Sequence, residues 1–115
     1  MIEIEEYLRP DGTSPFKSWF DGLDAQAAAK ISTALLRLES GNTSRVKWFE
    51  RIGEYVIDWG AGYRIYLARK GESFIILFGG GTKRGQQRDI ERAKDLHAEY
   101  KLRLKTDRAL PRPKN

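Results

Sequence analysis

The chain has no cysteine, one histidine and one methionine in 115 residues. Without thiols it can form neither disulfides nor thiolate metal sites, and a reducing compartment suits it. A lone imidazole, with carboxylates that do not cluster at ligand spacing, leaves no metal-binding pattern. Neither a metal nor a small-molecule cofactor is expected. No apolar run approaches the roughly 20 residues of a membrane-spanning helix. The first residues, MIEIEEYLRP, are acidic and alternating, unlike a signal peptide. These absences point to a soluble, cytoplasmic protein with no membrane contact. Internal repeats are also lacking, and this length suits one domain with its own core.

What is present in excess is positive charge, and it is unevenly placed. The net charge is +5, yet residues 1–41 carry four Lys/Arg against seven Asp/Glu. Residues 42–88 reverse this, with nine against four, and residues 89–100 are again acidic, with two against four. Residues 101–115 carry six against one. The cations therefore gather in the centre of the chain and at its end, as expected for contact with a polyanion or an acidic protein; basic surfaces also simply aid solubility.

Periodicity gives an α+β layout. Alternation over residues 2–7 reads as a strand, and Pro10-Asp11-Gly12 as a turn. Ser14-Pro15 supplies an N-cap and a first helical residue for a short helix with Phe16, Trp19, Phe20 and Leu23 on one face. Asp24 caps a second helix over residues 25–40, rich in alanine and leucine and ended by Gly41. The two helices are expected as a hairpin laid on a sheet. Residues 46–52 read as a short strand or an extended connection. Strands over residues 55–59, 63–69 and 72–78 follow, joined by turns at Gly60-Ala61-Gly62 and Lys70-Gly71, so that a three- to four-stranded antiparallel meander is expected. Gly79-Gly80-Gly81-Thr82 reads as a flexible exit, and residues 84–104 as a long helix with Ile90, Ala93, His97, Tyr100 and Leu104 along its buried stripe. Residues 1–105 are expected to form the domain; residues 106–115, with Pro111 and Pro113, are expected as a flexible basic tail.

Several chemistries are excluded by spacing. The glycine run before Lys83-Arg84 lacks the GxxxxGK[ST] pattern of a P-loop, and no nucleophile elbow surrounds a serine. The run reads either as a plain turn or as a place where a phosphodiester approaches the backbone with Lys83 and Arg84 holding it. Arg64 alternates with Ile65 and Leu67, so it lies on the opposite sheet face, where a cation needs solvent, an acid or a ligand. Asp58 is a candidate partner. Tyr66 shares that face, and Lys47 and Arg51 approach the same rim from the preceding segment. Cations and tyrosines on one surface suit RNA, with arginine on phosphate and aromatic rings on splayed bases. Cations can also stabilise phosphorane charge, and a lysine or tyrosine of shifted pKa can move a proton. His97 reads as a partly buried structural histidine.

The run from Ile57 to Tyr100 resembles the RelE/ParE-like toxins of bacterial toxin–antitoxin modules, in particular their HigB-like, phage-derived addiction-module-killer branch. The resemblance is carried by Gly62-Tyr63-Arg64, by Gly79 to Lys83, by Gln86 to Ile90 and by Ala98 to Tyr100. It extends over residues 1–104. It implies the family fold, a small antiparallel sheet with a helical hairpin packed on it. It also implies a toxin neutralised by a cognate antitoxin, often of helix-turn-helix type. Many relatives are ribosome-dependent mRNA endonucleases, and the ParE type poisons DNA gyrase. The family's functional basic position on the third strand maps to Arg64, and the one after the fourth strand to Lys83 or Arg84. Val56 occupies a place where relatives often carry arginine. On this reading Arg64, Lys83, Arg84 and Tyr66 are the candidate catalytic residues, Lys47, Arg51 and Arg88 the candidate RNA-binding residues, and mRNA, the ribosome and the antitoxin the partners.

Overall fold

A computed structural model describes residues 1–109. Five strands, β1 (Glu3–Glu6), β2 (Val46–Trp48), β3 (Gly53–Ile57), β4 (Tyr63–Lys70) and β5 (Phe74–Thr82), form one sheet in the order β1-β5-β4-β3-β2. Strands β2 to β5 are the expected antiparallel meander. β1 runs parallel to β5, pairing Glu3 with Phe74 and Glu6 with Leu77, so the sheet is mixed rather than antiparallel throughout.

The helices follow their caps. α1 (Pro15–Asp21) starts at Ser14, whose Oγ accepts from the Lys17 N–H at 3.0 Å and donates to Glu6 at 2.6 Å. α2 (Ala25–Glu39) starts at Asp24, whose carboxylate accepts from the Ala27 N–H at 2.9 Å. Both helices cover one sheet face. Phe16, Ile31, Ala34 and Leu38 pack there on Tyr55, Ile57, Ile65, Leu67, Ile75 and Leu77. The other face carries Tyr66, Ala68, Ile76 and Phe78, covered by Ile90, Ala93 and Leu96 of α3 (Gln86–Ala109). α3 outruns the expected helix, so residues 106–109, read as the start of a tail, are helical; the remainder of that tail lies outside the described residues. No helix among the described residues is long and apolar enough to cross a membrane.

The largest correction concerns the glycine run. Residues 79–82 are not a loose exit but the second half of β5, paired with residues 63–66 of β4. The register slips between Tyr66 and Leu67, leaving Phe78 as an extra residue in a bulge, and Gly79 takes a φ of 152° that a side chain would disfavour. The glycines thus serve a bulged strand that must also fit close against two helices. One turn of 3₁₀ helix, Lys83–Gly85, then leads into α3.

Tyr7, just past β1, closes the structure. Its hydroxyl donates to Glu99 at 2.6 Å, Arg9 pairs with the same carboxylate at 3.1 Å, and Arg103 donates to the Leu8 carbonyl. The Tyr7 and Arg9 hydrogen bonds hold the Glu99 carboxyl below its usual range. A depressed carboxylate adds stability that is present above its ordinary pKa and is lost as pH falls through the lowered one. Glu99→Gln is therefore expected to flatten the acid limb of the stability profile below about pH 4.3. Urea midpoints measured from pH 7 down to pH 3 test this; parallel wild-type and variant curves would contradict it.

Candidate functional site

Across the α3-facing side of the sheet, one row of residues reads Lys47, Glu54, Tyr66, Gly79, and the next Val56, Arg64, Gly81. Glu54 is fully buried at 0% exposure, Tyr66 is 1% exposed and Arg64 9%. A buried carboxylate needs partners, and Glu54 has three. Tyr66 Oη donates to it at 3.1 Å, Gln86 Nε2 donates to both its oxygens at 3.0 and 3.1 Å, and Arg64 Nε lies 3.8 Å away. That last separation is an ion pair but too long for a hydrogen bond, and Arg64 Nε has no other acceptor among the described residues. The guanidinium is further anchored by Nη1, which donates to the Gly62 carbonyl.

This network revises two expectations. Arg64 is tied to Glu54, not to Asp58, which is exposed at the turn end of its strand. Tyr66 offers no open face to a base, because it is buried in the core cluster that includes Ile52, Phe78, Ile90 and Ala93. Burial, and then the Glu54 charge, push the Tyr66 hydroxyl well above the usual phenol range, so it holds its proton at neutral pH. Its role is to satisfy Glu54.

The open surface lies beside this network, at the far edge of β5. β1 pairs with β5 only as far as Leu77. Beyond that point a cleft of about 640 Å³ opens between α1 and the start of α3, floored by residues 78–82. Pro15, Ser18 and Trp19 line one wall and Arg84, Arg88, Asp89 and Arg92 the other. Trp19 lies so close over Gly80 that a methyl group there would strike its ring, and Gly81 leaves the space that Asp89 fills. Arg84, Arg88 and Arg92 are all exposed, and Arg88 forms a long ion pair with Asp89 at 3.9 Å. Arg88 and Arg92 stand four residues apart on α3, so they lie on one side of it at a step of about 6 Å, and Arg84 precedes them in the 3₁₀ turn.

The expected basic rim is therefore divided. Arg84 and Arg88 meet in the cleft. Lys83 is exposed but leans the other way, with its backbone N–H donating to the Ala61 carbonyl and its Cβ against Gly62. Lys47 is exposed on the edge strand β2, three strand spacings or about 14 Å from β5. Arg51 belongs to a separate shallow basin with Trp48, Phe49 and Arg69. Its charge lies near His97, whose pKa is lowered by burial first and by Lys101 and Arg51 after that. His97 packs on Phe78 and Tyr100, in keeping with its structural reading. Sequence reasoning missed Arg92, Trp19 and Glu54. The i, i+4, i+8 spacing from Arg84 would have found Arg92; nothing local marked the other two.

No family model matches the chain. It is 40% identical over 92 residues to an uncharacterized protein of Haemophilus influenzae, an alignment covering 78% of this chain and 93% of that protein.

Proposed function

We propose that the chain, which belongs to one family with the uncharacterized Haemophilus influenzae protein, acts on RNA as the toxin of a type II toxin–antitoxin module. In this reading it is a ribosome-dependent, metal-independent mRNA endonuclease of the cytoplasm, neutralised by a cognate helix-turn-helix antitoxin. The supporting observation is the exposed row of Arg84, Arg88 and Arg92 beside the side-chain-free floor of Gly79, Gly80 and Gly81. Arginines at this spacing suit successive phosphates of a single strand. Arg84 would stabilise charge on the reacting phosphate, with Lys83 turned away towards Gly62. Arg88 and Arg92 would hold its neighbours, and Lys47 and Arg51 would meet outlying RNA or ribosome. Arg64 would act from beneath, by fixing the end of β4.

A second reading, inhibition of DNA gyrase without catalysis, has one observation in its favour. Tyr66 is buried against Glu54, which together with burial raises its pKa, and Arg64 is buried and held by Glu54, so neither is free to move a proton or hold a phosphate. Induced expression without an antitoxin, followed by primer extension on cellular mRNA, separates the two. Growth arrest with new mRNA ends is expected. Arrest with intact mRNA and a DNA-damage response would move the assignment to gyrase. Normal growth would overturn the toxin reading and leave a protein that only binds its antitoxin.

A further inference from the structure

The chain's three tryptophans differ in what covers them. Trp19 packs on Phe16 and over Gly80. Trp59 is stacked with Tyr63 at 5.9 Å, and the Lys30 ammonium sits 5.3 Å from its centroid. Trp48, on the short edge strand β2, has neither ring nor cation against it among the described residues and is 46% exposed. Its seat is nevertheless built. Trp48 pairs across β2–β3 with Gly53, and a Cβ at Gly53 would come within 2.9 Å of its ring carbons. A glycine there lets the indole lie against the backbone, which fixes one side of the ring and leaves the other open.

Trp48 opens onto the shallow basin that it shares with Phe49, Glu50, Arg51 and Arg69. Arg69 is held ready: its Nε donates to the Gly71 carbonyl at 3.1 Å and its Nη2 to the Glu72 carbonyl at 2.9 Å, which leaves Nη1 for another acceptor. Arg51 and Glu50 are both exposed, so the basin carries two cations against one acid. We propose that Trp48 is a stacking platform for an unpaired base of single-stranded RNA, with Arg51 and Arg69 meeting the adjacent phosphates. An open indole beside two guanidiniums suits a flat ring joined to anionic groups. A protein partner is less well served, because the apolar lining is limited to Trp48 and Phe49, far short of the roughly 800 Å² per side of a stable interface. The identity of the ligand rests on the RNA reading. The platform itself is separate from the cleft, at the opposite edge of the sheet, and is a second point of contact.

The test uses the full chain and two fluorescent probes, a short oligouridylate and an abasic strand of the same length and charge. The indole N–H signals locate binding by NMR, Trp48 reporting the basin and Trp19 the cleft. The Trp48 signal is expected to shift saturably with oligouridylate and to need about tenfold more of the abasic strand. Fluorescence anisotropy is then measured with Arg84, Arg88 and Arg92 replaced by alanine, so that the basin carries the binding. In that background Trp48→Ala is expected to weaken oligouridylate binding about tenfold without changing its salt slope, and Trp48→Phe by less than about threefold. Arg51→Ala is expected to lower the slope by about 0.7; an unchanged slope would overturn the phosphate contact. Equal binding with and without Trp48, or an equal loss for the abasic strand, would overturn the stacking platform. A Trp19 shift without a Trp48 shift would overturn it while leaving the RNA cleft standing, whereas no shift at either would remove both. A Trp48 signal that moves with protein concentration alone would overturn it in favour of contact between copies.

Discussion

Glu54→Ala is expected to destabilise the protein by about 3–5 kcal/mol, the usual consequence of removing one partner from a buried ion pair. Arg64 would be left with its Nε still buried and its nearest acid gone. Tyr66 and Gln86 would lose their acceptor as well. Domains of this size hold only about 5–15 kcal/mol in total, so the variant should approach marginal stability. Urea denaturation followed by tryptophan fluorescence measures the loss. A change below about 1 kcal/mol would mean that the network matters little. The paired replacement, Glu54→Met with Arg64→Met, should recover most of the loss, because two apolar side chains leave no uncompensated charge. If the pair serves only stability, the double variant should also keep the protein's activity. If Arg64 has the role proposed beneath the phosphate site, activity should fall while stability returns.

Replacing Arg84, Arg88 and Arg92 together by alanine is expected to weaken binding to a single-stranded RNA about a hundredfold at low salt, at about 1 kcal/mol for each exposed arginine. The dependence on salt is the sharper readout. Each phosphate left without its arginine should lower the slope of log K against log salt by about 0.7, so the triple variant's slope should be shallower by about 2. All three side chains are exposed, so the fold should be unaffected and the wild-type unfolding midpoint retained. Lys47→Ala with Arg51→Ala should reduce the slope much less, since those residues stand away from the cleft. If both variants behave alike, RNA is held by diffuse charge and the arginine row has no special part.

The elements with local causes are legible in the sequence. Ser14-Pro15 and Asp24 announce α1 and α2, and both caps form the expected hydrogen bonds. Gly60, Gly62 and Gly71 mark the turns and take positive φ there. What cannot be read depends on contacts between distant residues. The glycine run breaks strand propensity, so its place in β5 emerges only once β4 supplies a ladder and α1 and α3 supply close neighbours. The parallel partner of β1 lies most of the chain away, and no local pattern encodes it. Glu54 looks like an ordinary alternating surface residue until β4 and Gln86 of α3 close over it. Tyr66 is hidden from sequence reasoning for the same reason: alternation gives its face correctly but not the helix that covers that face.

The position of β1 also sets an order of events during synthesis. It leaves the ribosome first, but its partner is β5, and Tyr7 waits for a residue 92 positions later. At roughly 5–20 residues per second, β1 spends several seconds without its pairing strand. Parallel, long-range pairing of this kind is intrinsically slow. Glu3, Glu5 and Glu6 keep the waiting segment charged, which discourages it from pairing with other nascent chains. β1 precedes every other described strand yet can be placed only after β5 has been made, and until it pairs the whole outer edge of β5 stands open.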